Sequence, residues 1–358
     1  MTLSALPLLD DAGLARAIAR GRGAASPPSP ADDLGRSTLA VAAQAGDRPA
    51  LIGADGTVCT YRQLAARATA IAAGLHQRGV GAEDVVLVLA DRGPDQIATT
   101  LGIWLAGACH LPVDPAQPDA RLALMLATGR PRLVLSDDAG LARLASPAAA
   151  SAEFEAPAVA DIATIGMADE APVPSIPAID AARLAYIIFT SGSTGTPKGA
   201  MLSHGGLLNT ALAQIRQCGI GPDDRVAQIA SPGFDAALSE MMMALLAGAT
   251  LVPVPADVAR DPAALACFLT DRAITVATLT PSMLAAIDHD LPQIRVLLVA
   301  GEACPAALVR RHAPAAGWST PMARPKYRSA PPWMWTSTPM MWPCCRPRSA
   351  APSTVSRS

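Results

Sequence analysis

Six short apolar runs rich in β-branched residues, "DVVLVLA", "LAYIIFT", "RVAQIA", "TLVPV", "ITVATLT" and "IRVLLVA", recur along the chain between segments of helical spacing. A strand that is apolar at nearly every position must be buried on both faces, as in a parallel sheet covered by helices. The intervening segments fit that role. In "TYRQLAARATAIAAGLHQRG", Leu64, Ala68, Ile71, Ala72 and Leu75 fall on one helical stripe, and Gly79 follows as a stop. "PDQIATTLGIWLAGA" reads as a further helix leading into the strand and turn "CHLPVDP". The alternation predicts an α/β protein made of doubly wound sheets.

With 358 residues, 51% of them apolar, the chain can bury a sizeable core, which excludes disorder of the whole. Because 3% are aromatic, that core must be mainly Ala, Leu, Val and Ile. The formal charge of −2 hides an asymmetry: residues 1–317 carry 22 basic and all 30 acidic residues, a net −8, whereas residues 318–358 carry six basic residues and no acid. A mildly acidic body argues against nucleic acid as a partner, since phosphate backbones need clustered Lys and Arg. The seven cysteines form no CxxC pair, and His76, His110, His289 and His312 show no ligand spacing. Reduced thiols serving as small hydrophobes, and no metal site of His and Cys, are therefore expected. The N-terminal "MTLSALPLLDDAGLARAIARGRG" lacks a basic leader, and Asp10 and Asp11 break its apolar run, so neither a signal peptide nor a membrane span is expected. The chain reads as cytoplasmic, with no membrane partner.

Residues 1–36 read as an N-terminal extension whose last part, from residue 20, is a linker rich in Gly, Pro, Ser and Ala. Residues 37–317 form the folded body. Within it, residues 143–180 lose the strand and helix rhythm and read as a surface excursion. No internal repeat is evident.

The stretch "YIIFTSGSTGTPKGAMLSHGGLLN" carries the chemistry. A buried strand delivers Thr190 into a loop of Ser191, Gly192, Ser193, Thr194, Gly195 and Thr196, with Lys198 near its end. Small residues let backbone amides converge, hydroxyls add donors and lysine adds charge, so the loop can cradle phosphate. It is not a Walker A sequence, because Pro197-Lys198-Gly199 stands where Gly-Lys-Ser/Thr is needed, nor a Gly-x-Ser-x-Gly elbow. Taken alone, such a loop also serves as a flexible connector.

The full wording of the loop closely resembles the signature of the adenylate-forming enzymes, the superfamily of acyl-CoA synthetases, luciferases and nonribosomal peptide synthetase adenylation domains. "TYRQL", "LAGACHLPVDP", "FDAALSEMMMALLAGATLV" and "LLVAGEACP" resemble further core motifs of the peptide synthetase adenylation domains, in the same order. The resemblance covers roughly residues 37–317 and implies two packed doubly wound lobes. It also implies ATP-dependent activation of an amino acid as aminoacyl-AMP, followed by transfer to the phosphopantetheine thiol of a peptidyl carrier protein. On the matching positions, Thr190, Ser191, Gly192, Ser193, Thr194, Gly195 and Lys198 would hold the ATP phosphates, with Thr190 and Lys198 closest to catalysis. Asp235 would pair with the substrate's α-ammonium, and Ala236, Ser239, Thr278, Leu298 and Ala300 would line a modest, largely apolar side-chain pocket. His204 would stand near its entrance. For Asp235 the competing structural role is a helix N-cap, and for His204 a local hydrogen bond. An acyl- or aryl-acid CoA ligase fits less well, since a carboxylate substrate gains nothing from a nearby acid. A noncatalytic nucleotide-binding remnant is the other alternative.

From Trp318 the pattern breaks. The last 41 residues hold four of the chain's five Trp and eight Pro but no Leu, Ile, Phe, Gly, Asp or Glu. Such a composition predicts disorder and no amphipathic elements. Where the family continues approximately Val-Asn-Ala-Tyr-Gly-Pro-Thr-Glu, this chain reads "WSTPMARPK". Codons for these residues, read from the third base of the Trp318 codon, permit that family string at every position. The same frame across Arg348 to Ser353 permits Ile-Gly-Arg-Pro-Ile, which resembles the next core motif. The tail is therefore expected to be out of frame and the second lobe incomplete. The small C-terminal lid domain and the acid that helps hold Mg2+ would then be absent, leaving little or no adenylating activity.

Overall fold

The computed structural model describes residues 33–145, 157–167, 179–190, 197–312, 318–319 and 344–347. Helix α1 (Leu34–Ala45) precedes a hairpin of β1 (Pro49–Ile52) and β2 (Val58–Thr60). Then α2 (Tyr61–Gln77), β3 (Val85–Leu89), α3 (Pro94–Leu105), β4 (Cys109–Val113), α4 (Asp119–Gly129), β5 (Leu133–Ser136), α5 (Asp138–Leu144) and β6 (Ala158–Asp161) alternate. A second hairpin follows, β7 (Leu184–Thr190) and β8 (Lys198–Ser203). The alternation resumes with α6 (His204–Cys218), β9 (Arg225–Gln228), α7 (Asp235–Leu246), β10 (Thr250–Pro253), α8 (Ala256–Arg260) and α9 (Pro262–Asp271). It continues through β11 (Val276–Leu279), α10 (Pro281–Ala286), β12 (Val296–Val299) and α11 (Ala306–His312) to the short strands β13 (Trp318–Ser319) and β14 (Cys344–Pro347).

Two sheets result. One runs β6-β5-β3-β4-β7-β8 and the other β13-β14-β12-β11-β9-β10-β1-β2. The first is parallel from β6 to β7 and ends in the antiparallel β7–β8 pair, and the second is parallel in the middle with antiparallel pairs at both ends. The period of two along each strand divides the buried side chains between cores. Val86 and Val88 of the first sheet, with Val226, Leu251, Val276, Val296 and Leu298 of the second, belong to one large core filled by α1, α2, α3, α6 and α7. Leu87, Leu89, Val134 and Leu111 face α4 on the far side of the first sheet. Ala227, Val252, Ala277, Leu279 and Leu297 face α9 and α10 on the far side of the second. Helices thus lie outside each sheet and between the two, in five layers.

The anchors of this arrangement are local rules met in sequence. Helix α2 starts in a capping box of Thr60 and Gln63, and it buries Leu64, Ala68, Ile71, Ala72 and Leu75. It ends before Gly79, whose φ of +71° is the left-handed conformation that favours glycine. The Tyr61 hydroxyl donates to Ala249 O at 2.7 Å, tying α2 to the turn before β10. Trp104 Nε1 donates to Ala185 O at 2.8 Å and ties α3 to β7. Gly102 lets α3 lie against α2: a Cβ there would stand 2.6 Å from Ile71 Cγ2 and 2.9 Å from Ala68 O.

Several expectations need correction. Helix α1 opens inside the segment read as a linker, because Asp33 caps it by accepting from Arg36 N at 2.7 Å and Leu34 is fully buried. The excursion over 143–180 contains β6, which pairs in parallel with β5. In the tail, where no strands were expected, Cys344–Pro347 pairs antiparallel with β12. Cys218 departs from the expectation of reduced thiols: it is buried and disulfide-bonded. No helix among the described residues is long and apolar enough to cross a membrane.

Candidate active site

The β7–β8 hairpin carries both ends of the loop expected to hold phosphate. Its strands run in register from Tyr186↔Leu202 to Thr190↔Lys198, which places Thr190 and Lys198 opposite each other at the mouth of the loop. The Thr190 hydroxyl donates to Lys198 O at 3.5 Å, and both residues are exposed. Ser191, Gly192, Ser193, Thr194 and Gly195 lie outside the described residues. The Lys198 ammonium has no carboxylate partner among the described residues. A hydroxyl and an uncommitted cation at one loop mouth fit the charge of a triphosphate. Among the described residues no three His, Cys, Asp or Glu side chains gather into a metal site.

A cavity of about 20 Å³ is lined by Gln214, Ala236, Ser239, Thr278 and Leu298. Four of these were expected from sequence, and the fold shows why they meet. Thr278 and Leu298 are register partners on β11 and β12 and share the sheet face that looks toward α6 and α7. Ala236 and Ser239 are three apart on α7 and so share one helical face. Gln214 enters from α6, where Ser239 Oγ donates to its Oε1 at 2.8 Å. Sequence reasoning missed Gln214. The available signal was a polar residue within the buried stripe Leu207, Leu208, Ala211, Gln214, Cys218.

Asp235 is the first residue of α7, one position before the cavity wall. The N-cap is Phe234, with no side-chain capping bond, so the competing role of Asp235 as N-cap does not apply. Its carboxylate is exposed and has no hydrogen-bond or ion-pair partner among the described residues. Its charge reaches β7: the Tyr186 phenol is raised above its ordinary range by burial and, secondarily, by Asp235.

A buried polar cluster fixes the β9–α7 loop that carries Asp235. Glu240, fully buried on α7, accepts from Ile229 N at 3.0 Å and Ala230 N at 3.1 Å through Oε2. Burial pushes its carboxyl up to about 8, against the two amides and Arg92, which favour the charged form. The Ser231 hydroxyl donates to Asp114 Oδ2 at the end of the "LPVDP" motif, and Arg92 Nη1 donates to Val254 O at 2.7 Å. Both contacts join the first sheet's loops to the second's.

Two expected residues fall elsewhere. Ala300 is buried beyond β12, with its N–H donating to Leu279 O at 3.0 Å, and it does not line the cavity. His204, expected near the pocket entrance, is fully buried in the core. Its Nδ1 accepts from Leu34 N at 3.4 Å, and its ring meets Trp104 edge-on at 6.3 Å. Burial holds it down to about 4, so it is a neutral packing and capping group.

Known proteins resemble this chain in sequence and in fold. The family model described as AMP-binding enzyme matches residues 39–322. The chain is 36% identical over 252 residues to tyrocidine synthase 2 of Brevibacillus parabrevis, covering 70% of this chain and 7% of that protein. It is 39% identical over 273 residues to novobiocin biosynthesis protein H of Streptomyces niveus, covering 74% and 44%. Across eight curated relatives the chain spans between 3% and 44% of their length. Among solved structures, the nonribosomal peptide synthetase FmoA3 (S1046A) superposes with a TM-score of 0.72 at 27% identity, covering 84% of this chain and 32% of that one. The N-terminal subdomain of Klebsiella oxytoca NpsA in complex with 3-hydroxybenzoyl-AMSN superposes with a TM-score of 0.69 at 26% identity, covering 79% and 70%. The signature loop, the two sheets and the matched span together place this chain: it belongs to the AMP-binding enzymes, alongside the adenylation domains of nonribosomal peptide synthetases.

Proposed function

We propose that this body is built to activate an amino acid with ATP and to pass it to a carrier-protein thiol. The substrate carboxylate oxygen attacks the α-phosphorus of ATP, pyrophosphate leaves, and the acyl adenylate remains. A phosphopantetheine thiol then attacks the acyl carbon and AMP departs. Neither step needs a protein nucleophile. The chain's task is to align the carboxylate and offset negative charge, which suits Thr190, Lys198 and the loop between them.

The observation that carries this reading is the convergence of Ala236, Ser239, Thr278 and Leu298 on one cavity, with Asp235, which has no partner among the described residues, one position before Ala236. A carboxylate at that point suits an α-ammonium and disfavours an aryl or fatty acid, which has no cation to offer. A carrier partner is supported by an artificially fused adenylation-PCP di-domain among the similar structures, NpsA-ThdA. We propose further that residues 318–358 are an out-of-frame translation and that adenylation by this polypeptide is correspondingly weak. The family model ends at residue 322, five residues into the stretch of changed composition that begins at Trp318.

Amino-acid-dependent ATP–pyrophosphate exchange tests both parts, with the chain as it stands compared against one whose codons from 318 onward are read in the shifted frame. Exchange with one or a few amino acids in the shifted-frame chain, and at least about tenfold less in the native one, is expected. Absence of exchange with any amino acid in both chains would sink the functional reading. Equal exchange in both would sink the reading of the tail.

A further inference from the structure

The polar wall of the cavity has a direction. A serine hydroxyl carries one proton, and that of Ser239 is donated to Gln214 Oε1 at 2.8 Å. Its lone pairs are then left to face an incoming group as acceptors. Gln214 is only 9% exposed, and its Nε2 has no hydrogen-bond partner among the described residues. The Thr278 hydroxyl on the adjoining strand likewise has none. No lining residue is ionisable, so a charged side chain entering here would be desolvated without a counter-charge. The volume, about 20 Å³, accommodates one water-sized group.

We propose that Gln214 is a specificity-determining residue that fixes Ser239 as an acceptor, so that the pocket selects an amino acid whose uncharged side chain ends in a hydroxyl. Such a group donates to Ser239 Oγ and accepts from Gln214 Nε2 or Thr278, pairing polar atoms of the wall that an apolar side chain cannot. A substrate lacking the hydroxyl leaves them buried and unpaired, which is the costlier outcome. The inference rests on the cavity being the side-chain pocket of an adenylating site.

The test measures dissociation constants of aminoacyl sulfamoyl adenosines in pairs differing by one hydroxyl: seryl and alanyl, threonyl and 2-aminobutyryl, tyrosyl and phenylalanyl. Binding needs no turnover, so the full native chain is used. In at least one pair the hydroxylated member should bind about 10- to 100-fold more tightly. Gln214→Met, of similar shape but without the acceptor, should bring that ratio near one and leave the deoxy analogue's affinity within about threefold. Gln214→Glu restores an acceptor for Ser239 and should keep the preference. Ser239→Ala should lose it independently of α6. Ratios near one for every pair in the native chain, or a preference that survives Gln214→Met, would overturn the proposal and leave the adenylating site intact. No binding of any analogue would overturn the site and this proposal together.

Discussion

Replacing Glu240 with Gln isolates one buried titration. In the native fold burial lifts this carboxyl from 4.5 to about 8, while in the unfolded chain it titrates near the ordinary value. Between those values the folded state therefore holds one proton more than the unfolded state, and stability must fall as pH rises. With each unit worth about 1.4 kcal/mol, the native chain should lose about 3 to 4 kcal/mol between pH 5 and pH 8 from this group alone. In Glu240→Gln the side-chain carbonyl can still accept from Ile229 N and Ala230 N, so the loop stays tied and the titration disappears. Urea unfolding at pH 5, 6, 7 and 8 measures the difference, because other groups titrate alike in both chains. The two stability curves should diverge across this range, with the variant gaining on the native chain as pH rises. Parallel curves would refute the assignment of a protonated, buried Glu240.

Acid should act through a different pair. Burial holds His110 down to about 3 and His204 down to about 4, so both are neutral in the folded state at pH 5 while the unfolded chain takes up protons. Each should cost about 2 kcal/mol at pH 5 relative to neutral pH, and His110→Leu should flatten the fall between pH 6.5 and 4 in thermal melts. Gly102→Ala should destabilise by about 1 to 3 kcal/mol, since the new Cβ overlaps Ile71 and Ala68; an unchanged melting temperature would contradict the close α2–α3 approach. Tyr61→Phe removes the donor to Ala249 O in the core and should cost about 1 to 2 kcal/mol by urea titration.

Much of the fold was legible because burial writes a period into the sequence. The stripe of Leu64, Ala68, Ile71, Ala72 and Leu75 and the apolar runs at β3, β7 and β12 became the elements expected of them. Elements without that period were missed. Strand β8, "KGAMLS", is largely exposed, so nothing in its pattern marks it; pairing with β7 makes it a strand. Hairpin β1–β2 was missed because its place is nonlocal: Leu51 pairs with Leu251, two hundred residues on. Ala236, Ser239, Thr278 and Leu298 met at one cavity, since register and helical spacing bring them together. His204 did not, because its Nδ1 is engaged by the start of α1, a contact 170 residues away in sequence. Gln214 and Glu240 show the converse: polar residues inside apolar stripes, whose partners appear only once α6, α7 and the β9 turn are packed.

The proposed function rests on Asp235 as the partner of an α-ammonium. The most direct measurement is the affinity of the native chain and of Asp235→Asn for a matched pair of sulfamoyl adenosines that differ only in the α-ammonium. An advantage of at least about tenfold for the amino form, lost in Asp235→Asn, is the expected result. Equal affinity for the amino and des-amino analogues in the native chain would contradict it.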